Sequence, residues 1–393
     1  MALQPAAGAR DLNPLEVEQN RILCGQLARV YRLWGYQEVA PPHFEHLDTL
    51  DAGGGIDGRE LVRLAADEPL GLRPELTASI ARAASTRLAS RPRPLRLWAE
   101  GPTFRSQLGD GGQQRISEEL QSGVELLGDA TPAADVELLR LLLAASAAVG
   151  IGPQHQPRLL VGHHGLLGAL LDQVPPELRQ RVRAALTGFD ALALAELPLA
   201  ESQRLRLTGL MRLRGEPLQV LYQLEQWLGP VPLLSDLAAS LELVSPAASR
   251  LGISLHLDPT FQPHFALYDG LVVRLVCQGP NSPVPVASGG RYNGLVGRFC
   301  SDPGQAAGVG FGFAVAALRE VLGGQGPGAE RAAGPTLVAF ARATLLGRAL
   351  DELEALHRSG QPAELLGTAV ESQNVAEAIA AERGCSRALW LAA

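Results

Sequence analysis

The spacing of apolar side chains near the N-terminus predicts an amphipathic helix. Apolar residues recur at three- and four-residue intervals between Leu23 and Trp34, which puts them on one helical face. Asn13, followed three residues later by Glu16, matches a capping pattern, and Gly35 is a stop signal. We therefore predict a helix that begins directly after Asn13 and ends before Gly35.

The next apolar segments are typical of strands. Leu95–Arg105 and Ile116–Leu127 are strand-like and flank the polar, glycine-bearing loop Ser106–Gln114. Two strands joined by such a loop form an antiparallel hairpin. A shorter hairpin is predicted for Glu60–Leu64 and Leu70–Arg73, on either side of a proline-containing turn.

The pattern changes in the middle of the chain, where leucine-rich helical patterns predict a helical insertion at about residues 163–245. Strand-like segments follow it, and the glycine-rich segment Gly289–Leu295 is interpreted as a turn. Gly308–Phe313 predicts a strand that leads directly into helix Ala314–Leu322. Residues 1–322 are thus expected to form the main domain.

The C-terminal part of the chain predicts a separate small unit. Residues 323–335 are rich in Gly, Pro and Ala, which is typical of a linker. Residues 336–393 alternate strand-like and helical patterns, which predicts a small α/β domain. At about 60 residues this domain is marginal on its own, so we expect it to pack on the main body.

Composition narrows the classes of function. The chain has 393 residues and a net charge of −7, and it contains no lysine. An acidic chain without a basic stripe is a poor nucleic-acid binder, so no nucleic-acid partner is expected. No apolar segment approaches the roughly 20 residues that cross a bilayer, and no signal peptide is evident, so we expect a cytoplasmic protein without a membrane partner. Dispersed cysteines and histidines favour neither a metal nor another cofactor.

Polar residues on the predicted hairpin are candidates for ligand binding. Arg105 and Arg115 suit a clamp for a phosphate or a carboxylate. Gln121, Gly123 and Glu125 alternate along one strand and therefore share a face, where the carboxylate favours a cationic or amino-bearing ligand. An ordinary polar strand surface would have the same pattern, so the spacing alone leaves both interpretations open.

Taken together, these motifs resemble the catalytic core of class II aminoacyl-tRNA synthetases of the histidyl type. The resemblance covers roughly residues 8–322. Its elements are a dimer-forming motif at Gly35–Pro42, a Leu-Arg-Pro-Glu element at Leu72–Thr77, a second motif from Gly101 to Glu125, a histidine-specific element at Gly289–Leu295 and a third motif from Gly308. It implies an α+β fold with an antiparallel sheet flanked by helices, a helical insertion and a small C-terminal α/β unit.

Departures from the synthetase pattern argue against amino-acid activation. Pro263 occupies the position of a catalytic arginine of that family, and Ala266 departs from the same element. Adenylation builds up negative charge and needs pre-placed cations. Arg319 aligns with an arginine that lies near the ATP γ-phosphate in the family, but Leu318 replaces the acidic residue before it. The tail is also shorter than the anticodon-binding domain of the family.

This pattern is similar to that of the ATP phosphoribosyltransferase regulatory subunits, which are non-catalytic paralogues of the synthetase. The resemblance implies a short-form catalytic subunit as partner in a hetero-octamer, self-association as a dimer, and feedback inhibition by L-histidine in the first step of histidine biosynthesis. It implies no catalytic residue and no cofactor. Histidine is expected either in the old amino-acid pocket or at the subunit interface.

The predicted histidine-like pocket combines the matching positions of the family with the two clamp arginines and the Arg291–Tyr292 pair, which would close it. Its residues are Glu75, Thr77, Arg105, Arg115, Gln121, Glu125, Tyr268, Arg291 and Tyr292. Two alternatives stay open, an active histidyl-tRNA synthetase and a different amino-acid-activating enzyme or sensor.

Overall fold

The computed structural model describes residues 4–52, 58–108, 112–262, 267–323 and 334–392. They belong to two compact units, Met1–Pro327 and Gly328–Ala393. The predicted linker at residues 323–335 falls largely on residues outside the described ranges and stays a prediction. None of the helices in these ranges combines the length and the apolar character that crossing a bilayer requires.

The first unit is built on a mixed, largely antiparallel sheet. Its strands are β1 (Gln37–Glu38), β2 (Phe44–His46), β3 (Val62–Arg63), β4 (Leu70–Leu72), β5 (Leu95–Leu108), β6 (Gln114–Leu127), β7 (Arg158–His163), β8 (Ser254–Leu257), β9 (Leu271–Gln278), β10 (Pro283–Arg291) and β11 (Gly308–Ala314). Eight of them form one sheet in the order β1-β5-β6-β11-β10-β9-β7-β8, in which only the outer pairs β1–β5 and β7–β8 are parallel. The others, β2-β4-β3, form a small separate sheet that contains the predicted short hairpin.

Helices cover this sheet and fill the insertion. They are α1 (Pro14–Leu33), α2 (Leu47–Ala52), α3 (Thr77–Ser85), α4 (Pro132–Ala148), α5 (His164–Asp172), α6 (Arg179–Thr187), α7 (Ala191–Ala195), α8 (Glu201–Leu210), α9 (Pro217–Leu228), α10 (Pro232–Arg250), α11 (Asn293–Phe299) and α12 (Val315–Leu322). The helices α5 to α10 lie between β7 and β8, where the leucine-rich patterns occur, and their leucines join the main apolar core. The predicted α+β fold with a helical insertion is confirmed.

The N-terminal helix begins and ends where its sequence predicts. The Asn13 side chain accepts a hydrogen bond from the Glu16 N–H at 2.9 Å, and the Glu16 carboxylate accepts one from the Asn13 N–H at 3.0 Å. Leu27 and Tyr31 on the apolar face are fully buried. Gly35 follows the helix with a φ of +82°, a conformation that glycine adopts without steric cost.

The long hairpin reaches further than the sequence predicts. The segment Ser106–Gln114 was expected to be a loop, but cross-strand pairing continues through Ser106↔Ile116 to Leu108↔Gln114. Backbone hydrogen bonds between the two strands satisfy polar groups there regardless of side-chain type, which is why a polar segment remains extended. Gly109 and Gly111 of the predicted loop lie outside the described residues.

The glycine-rich segment is a strand and not a turn, which corrects the sequence interpretation. Gly289, Gly290 and Arg291 form the end of β10 and pair with β9 and β11. A Cβ at Gly289 would overlap the Gly310 carbonyl oxygen of β11. The glycine therefore serves a close approach of two strands rather than a change of chain direction. The chain turns only after Tyr292, where α11 begins.

The second unit is a small α/β unit. Its parallel strands β12 (Thr336–Phe340), β13 (Ala363–Leu365) and β14 (Arg387–Leu391) form a sheet in the order β13-β12-β14. Its helices are α13 (Leu346–Arg358) and α14 (Gln373–Glu382). Two apolar clusters, one containing Leu337 and Ala376 and the other Phe340 and Ala349, form its core.

Candidate ligand-binding site

A cavity of about 80 Å³ opens where the start of α3 meets the central strands of the large sheet. It is lined by Glu75, Leu76, Thr77, Arg105, Gln121, Gly123, Glu125, Leu267, Tyr268, Ser288, Tyr292, Gly310, Phe311 and Gly312. One water needs roughly 10–15 Å³ of such a cavity, so the space suits a ligand of several heavy atoms.

Most of the residues that the sequence predicts for a pocket lie together in this cavity. Those that line it are Glu75, Thr77, Arg105, Gln121, Glu125, Tyr268 and Tyr292. They come from positions up to about two hundred residues apart and meet because β6, β11 and β10 are neighbours in the sheet. The alternation of Gln121, Gly123 and Glu125 puts all three on the cavity side of β6.

The carboxyl group of Glu125 lies at the centre of the cavity floor. Only 4% of this residue is exposed. The Thr77 hydroxyl donates to its Oε1 at 2.7 Å, and the Tyr292 hydroxyl donates to its Oε2. Burial raises the pKa of Glu125 to about 8, although both hydroxyl donors oppose that rise. The group is thus largely protonated near neutral pH.

A second carboxyl group, that of Glu75, is held at the start of α3. It accepts hydrogen bonds from the backbone N–H groups of Thr77 and Ala78, the latter at 2.9 Å. Burial raises its pKa above the ordinary value, while these N–H donors and the Arg105 guanidinium act in the opposite direction. Arg105 Nε also donates to the Pro74 carbonyl oxygen at 3.4 Å, so the arginine lies beside this carboxylate.

Glycines in β6 and β11 make room for the floor of the cavity. A Cβ at Gly310 would overlap the Glu125 carboxylate, and a Cβ at Gly123 would lie 2.6 Å from the Phe311 carbonyl oxygen. The strands can therefore approach each other and carry a buried carboxyl group only with glycine at both positions.

Arg73 of the Leu-Arg-Pro-Glu element has a structural role. It is 1% exposed, and its guanidinium donates to the carbonyl oxygens of Pro41 at 2.8 Å and Pro102 at 3.0 Å. These bonds tie the segment after β1 to β5. Gly101 leaves the space for this side chain, since a Cβ there would overlap the guanidinium.

Three of the arginines singled out in the sequence do not line the cavity. Arg291 points away from it, and its guanidinium pairs with Asp135 at 2.8 Å. Arg115 is exposed on the outer part of β6, opposite Gln107. Arg319 donates to Asn20 at 2.5 Å and Glu16 at 3.1 Å of α1.

The closing role of Arg291 and the clamping role of Arg115 stay predictions, and neither side chain is among the residues that line the cavity. The charge of Arg291 is instead paired with that of the partly buried Asp135 on α4. Arg319 is not among the residues that line the cavity, and its guanidinium contacts Asn20 and Glu16 of α1. Pro263 and Ala266, which depart from the synthetase pattern, lie outside the described residues.

Several lining residues are missed by the sequence analysis. Leu267, Ser288 and Phe311 carry no local signal, because they reach the cavity only through the order of strands. Gly310 and Gly312 do carry one, since glycines at alternate positions of a strand indicate a face that another group approaches.

The chemistry of the cavity is that of a binder for a small cationic or zwitterionic molecule. Two carboxyl groups can meet ammonium or imidazolium protons, and Arg105 can meet a carboxylate. In the part of the chain that the structure describes, no three His, Cys, Asp or Glu side chains are grouped to hold a metal ion.

Comparison with known proteins identifies the family to which the chain belongs. Residues 8–318 match the family model described as histidyl-tRNA synthetase. Over the full length of both chains, the protein is 51% identical to a protein named ATP phosphoribosyltransferase regulatory subunit in Synechococcus sp. (strain RCC307). It is also 51% identical, again over both full lengths, to the protein of the same name in Prochlorococcus marinus (strain MIT 9303).

Solved structures show the same fold. The crystal structure of an ATP phosphoribosyltransferase regulatory subunit/histidyl-tRNA synthetase from Bacillus halodurans C aligns with 100% of this chain and 99% of its own, with a TM-score of 0.84 at 24% identity. Histidyl-tRNA synthetase from Nostoc sp. PCC 7120 aligns with 100% of this chain and 92% of its own, with a TM-score of 0.78 at 17% identity. The fold is that of a class II synthetase of the histidyl type.

Proposed function

The chain belongs to the family of ATP phosphoribosyltransferase regulatory subunits, and we propose that it supports the activity of a separate catalytic chain in the first step of histidine biosynthesis. The observation that carries this proposal is the 51% identity over the full length of relatives with that name. A regulatory subunit without its own chemistry needs a catalytic partner, and the short form of ATP phosphoribosyltransferase is the partner proposed here.

The placement of the arginines argues against amino-acid activation and supports a non-catalytic role. Adenylation needs cations placed where negative charge develops on phosphate. Arg319 is paired with Glu16, and Arg115 is exposed on the hairpin. Pro263 stands where the synthetase family has a catalytic arginine. Of the arginines considered for this chemistry, Arg105 alone lines the cavity.

The cavity is proposed as the place where L-histidine binds as effector. The α-amino group or the protonated imidazole would pair with Glu125, which has two hydroxyl donors in place to hold its ionised form. Arg105 would meet the carboxylate of the amino acid. Tyr268, which lines the cavity, provides an aromatic wall for the ring.

Regulation requires an assembly that has an active and an inactive state and binds histidine more tightly in one of them. We propose a dimer of this chain through Gly35–Pro42, and a hetero-octamer with the catalytic chains. Histidine can then inhibit only if it binds more tightly to the inactive state of that assembly. Coupling free energies of this kind are typically about 1–3 kcal/mol, which corresponds to roughly 5- to 150-fold in affinity.

The test measures phosphoribosyl transfer from phosphoribosyl pyrophosphate to ATP by the short catalytic subunit of the same organism. Activity should appear on addition of this chain and should fall when histidine is added. Glu125→Gln should still activate but should require at least about tenfold more histidine for inhibition, since a charge-assisted contact is lost. Glu118→Gln, an exposed change on the same strand, is the matched control.

Two results would contradict the proposal in different ways. A mixture that stays inactive refutes the role as an activating subunit. An active mixture whose inhibition by histidine is equal in Glu125→Gln and Glu118→Gln refutes only the cavity as the effector site. Histidine would then be expected to bind at the subunit interface.

An active histidyl-tRNA synthetase is the second candidate function, because the family model of that name covers residues 8–318 and Arg105 is retained in the cavity. It predicts histidine-dependent exchange of pyrophosphate into ATP. We expect no exchange above background, and robust exchange would favour the synthetase over the regulatory subunit.

A further inference from the structure

A groove on the outer side of the long hairpin has the composition of an anion site. Arg105 lines the histidine cavity, and the next residue, Ser106, lines this groove instead, since successive strand residues point to opposite faces. We propose that the groove binds a small molecule through a phosphate or diphosphate group, with Arg63, Arg59 and Ser106 as its ligands. This site is separate from the cavity of the proposed function.

The groove is formed where the small sheet meets the hairpin. Its lining consists of Gly58, Arg59, Leu61, Val62, Arg63, Ser106, Gln114 and Ile116. Its volume is about 300 Å³, which is at the lower end of the range of roughly 300–1,000 Å³ found for small-molecule pockets. The groove therefore has room for more than a single inorganic ion.

The charge of the groove is positive although the chain as a whole is acidic. Arg59 and Arg63 are the charged residues of the lining in the described part of the chain, and no carboxylate of that part lines the groove. Both are exposed, and both are on one short segment that includes β3. Guanidinium groups hold phosphate oxygens through pairs of parallel N–H bonds, so two of them suit a group with several charged oxygens.

The observation that points most directly to a ligand is the hydroxyl of Ser106. The residue is 3% exposed, and its Oγ has no hydrogen-bond partner among the residues that the structure describes. Its backbone N–H donates to the Glu60 carbonyl oxygen at 2.8 Å, which holds the residue beside the arginine-bearing segment. A buried hydroxyl without a partner costs free energy, and an oxygen of a bound phosphate would satisfy it.

Neutral and apolar residues complete the site. Gln114 adds an amide donor from the opposite strand of the hairpin, while Leu61 and Val62 are buried and form an apolar floor. A compact ligand with a charged end and a less polar body matches this arrangement. A nucleic-acid chain would need a longer basic surface than two arginines on a chain of net charge −7 provide.

The test is calorimetric titration of the full chain with inorganic pyrophosphate, without catalytic subunit or histidine. Arg63→Gln should weaken binding by roughly tenfold or more, and Ser106→Ala by roughly threefold to tenfold. Arg181→Gln removes an exposed arginine of α6, and Ser122→Ala removes another buried hydroxyl without a partner, so both are matched controls and should bind as the unchanged protein does.

Three outcomes would overturn the proposal. One is the absence of binding at millimolar pyrophosphate. Another is loss of binding in Arg105→Gln with unchanged binding in Arg63→Gln, which would place the anion in the histidine cavity. The last is binding of duplex RNA that is tighter than that of pyrophosphate and is lost in Arg63→Gln. None of these results bears on activation of the catalytic subunit, so the proposed function is tested independently.

Discussion

Glu125 of β6 and Gly310 of β11 lie directly opposite each other, and the carboxyl group of the first fills the space that a side chain of the second would need. Opposed residues on antiparallel strands have their Cβ positions about 4.5–5.5 Å apart. A carboxyl group that lies over the neighbouring strand therefore excludes any residue except glycine there. The glycine at 310 thus determines where the acidic group of the cavity points.

Gly310→Ala should displace the Glu125 carboxyl group and weaken histidine binding by roughly tenfold or more. It should also lower the free energy of unfolding by about 1–3 kcal/mol, because overpacking forces the strands or side chains to move. Calorimetry and denaturant unfolding measure these effects. Gly312→Ala is the control for stability, since its Cβ would meet no atom within 4 Å. Equal stability of the two variants would show that the strands relax without cost.

The stability of the protein should fall as pH rises from about 5 to about 8. The ordinary pKa of glutamate is 4.5, whereas that of buried Glu125 is about 8. Between these values the folded chain holds a proton that the unfolded chain has lost, so stability decreases with pH by at most about 1.4 kcal/mol per pH unit from this group. Unfolding curves across this pH range should show a smaller slope for Glu125→Gln.

Binding of histidine near pH 7 through its α-ammonium group, which is already protonated at that pH, should release protons. Free Glu125 is largely protonated there, and a bound cation favours its ionised form. Calorimetry in buffers of different ionisation enthalpy should report a release of up to about one proton, which Glu125→Gln should abolish. A proton release that is unchanged in that variant would show that Glu125 does not pair with the ligand.

The two hydroxyl groups that contact Glu125 should tune its ionisation. Tyr292→Phe and Thr77→Val each remove one donor to the carboxyl group. A hydrogen bond to a charged group is worth about 1.5–3 kcal/mol, so each change should raise the pKa of Glu125 by roughly one to two units. The pH midpoint of histidine binding should move upward accordingly. A midpoint that stays in place in both variants would contradict this assignment.

The buried pair of Arg291 and Asp135 should matter for stability rather than for contact with histidine. Their side chains are 7% and 18% exposed and lie 2.8 Å apart. Arg291→Ala should lower the free energy of unfolding by about 3–5 kcal/mol, because Asp135 loses its partner. Arg181→Ala, at an exposed position of α6, should change it by less than about 0.5 kcal/mol. A small effect at Arg291 would mean that water replaces it.

Local patterns predicted the elements more reliably than their ends. The capping pair Asn13 and Glu16 predicts the first turn of α1 because both partners are three residues apart in the chain. The polar segment Ser106–Gln114 was predicted as a loop and is largely strand, because its stability comes from the opposite strand. The sequence also predicts a turn at Gly289, whereas the structure has a strand there. The strand that this glycine approaches lies about twenty residues further along the chain, so the local sequence does not indicate the contact.

In the candidate site, too, the sequence predicts what depends on neighbouring residues and does not predict contacts between residues far apart in the chain. The alternation of Gln121 and Glu125 was enough to place both on one face of β6. The local pattern does not predict where the Arg291 side chain points, because it pairs with Asp135, which is 156 residues away in the chain. Similarly, Arg319 was matched by sequence to a phosphate-binding arginine but is held by Glu16.

The sequence by itself determined the synthetase-like order of motifs, the helical insertion and the acidic residue at the cavity floor, because each depends on residue types at short spacing. Tertiary structure decided which arginines remain available to a ligand, how far Glu125 is buried, and why position 310 must be glycine. These properties depend on the distance between atoms far apart in the chain. Burial and pairing energies follow from those distances, and no local pattern encodes them.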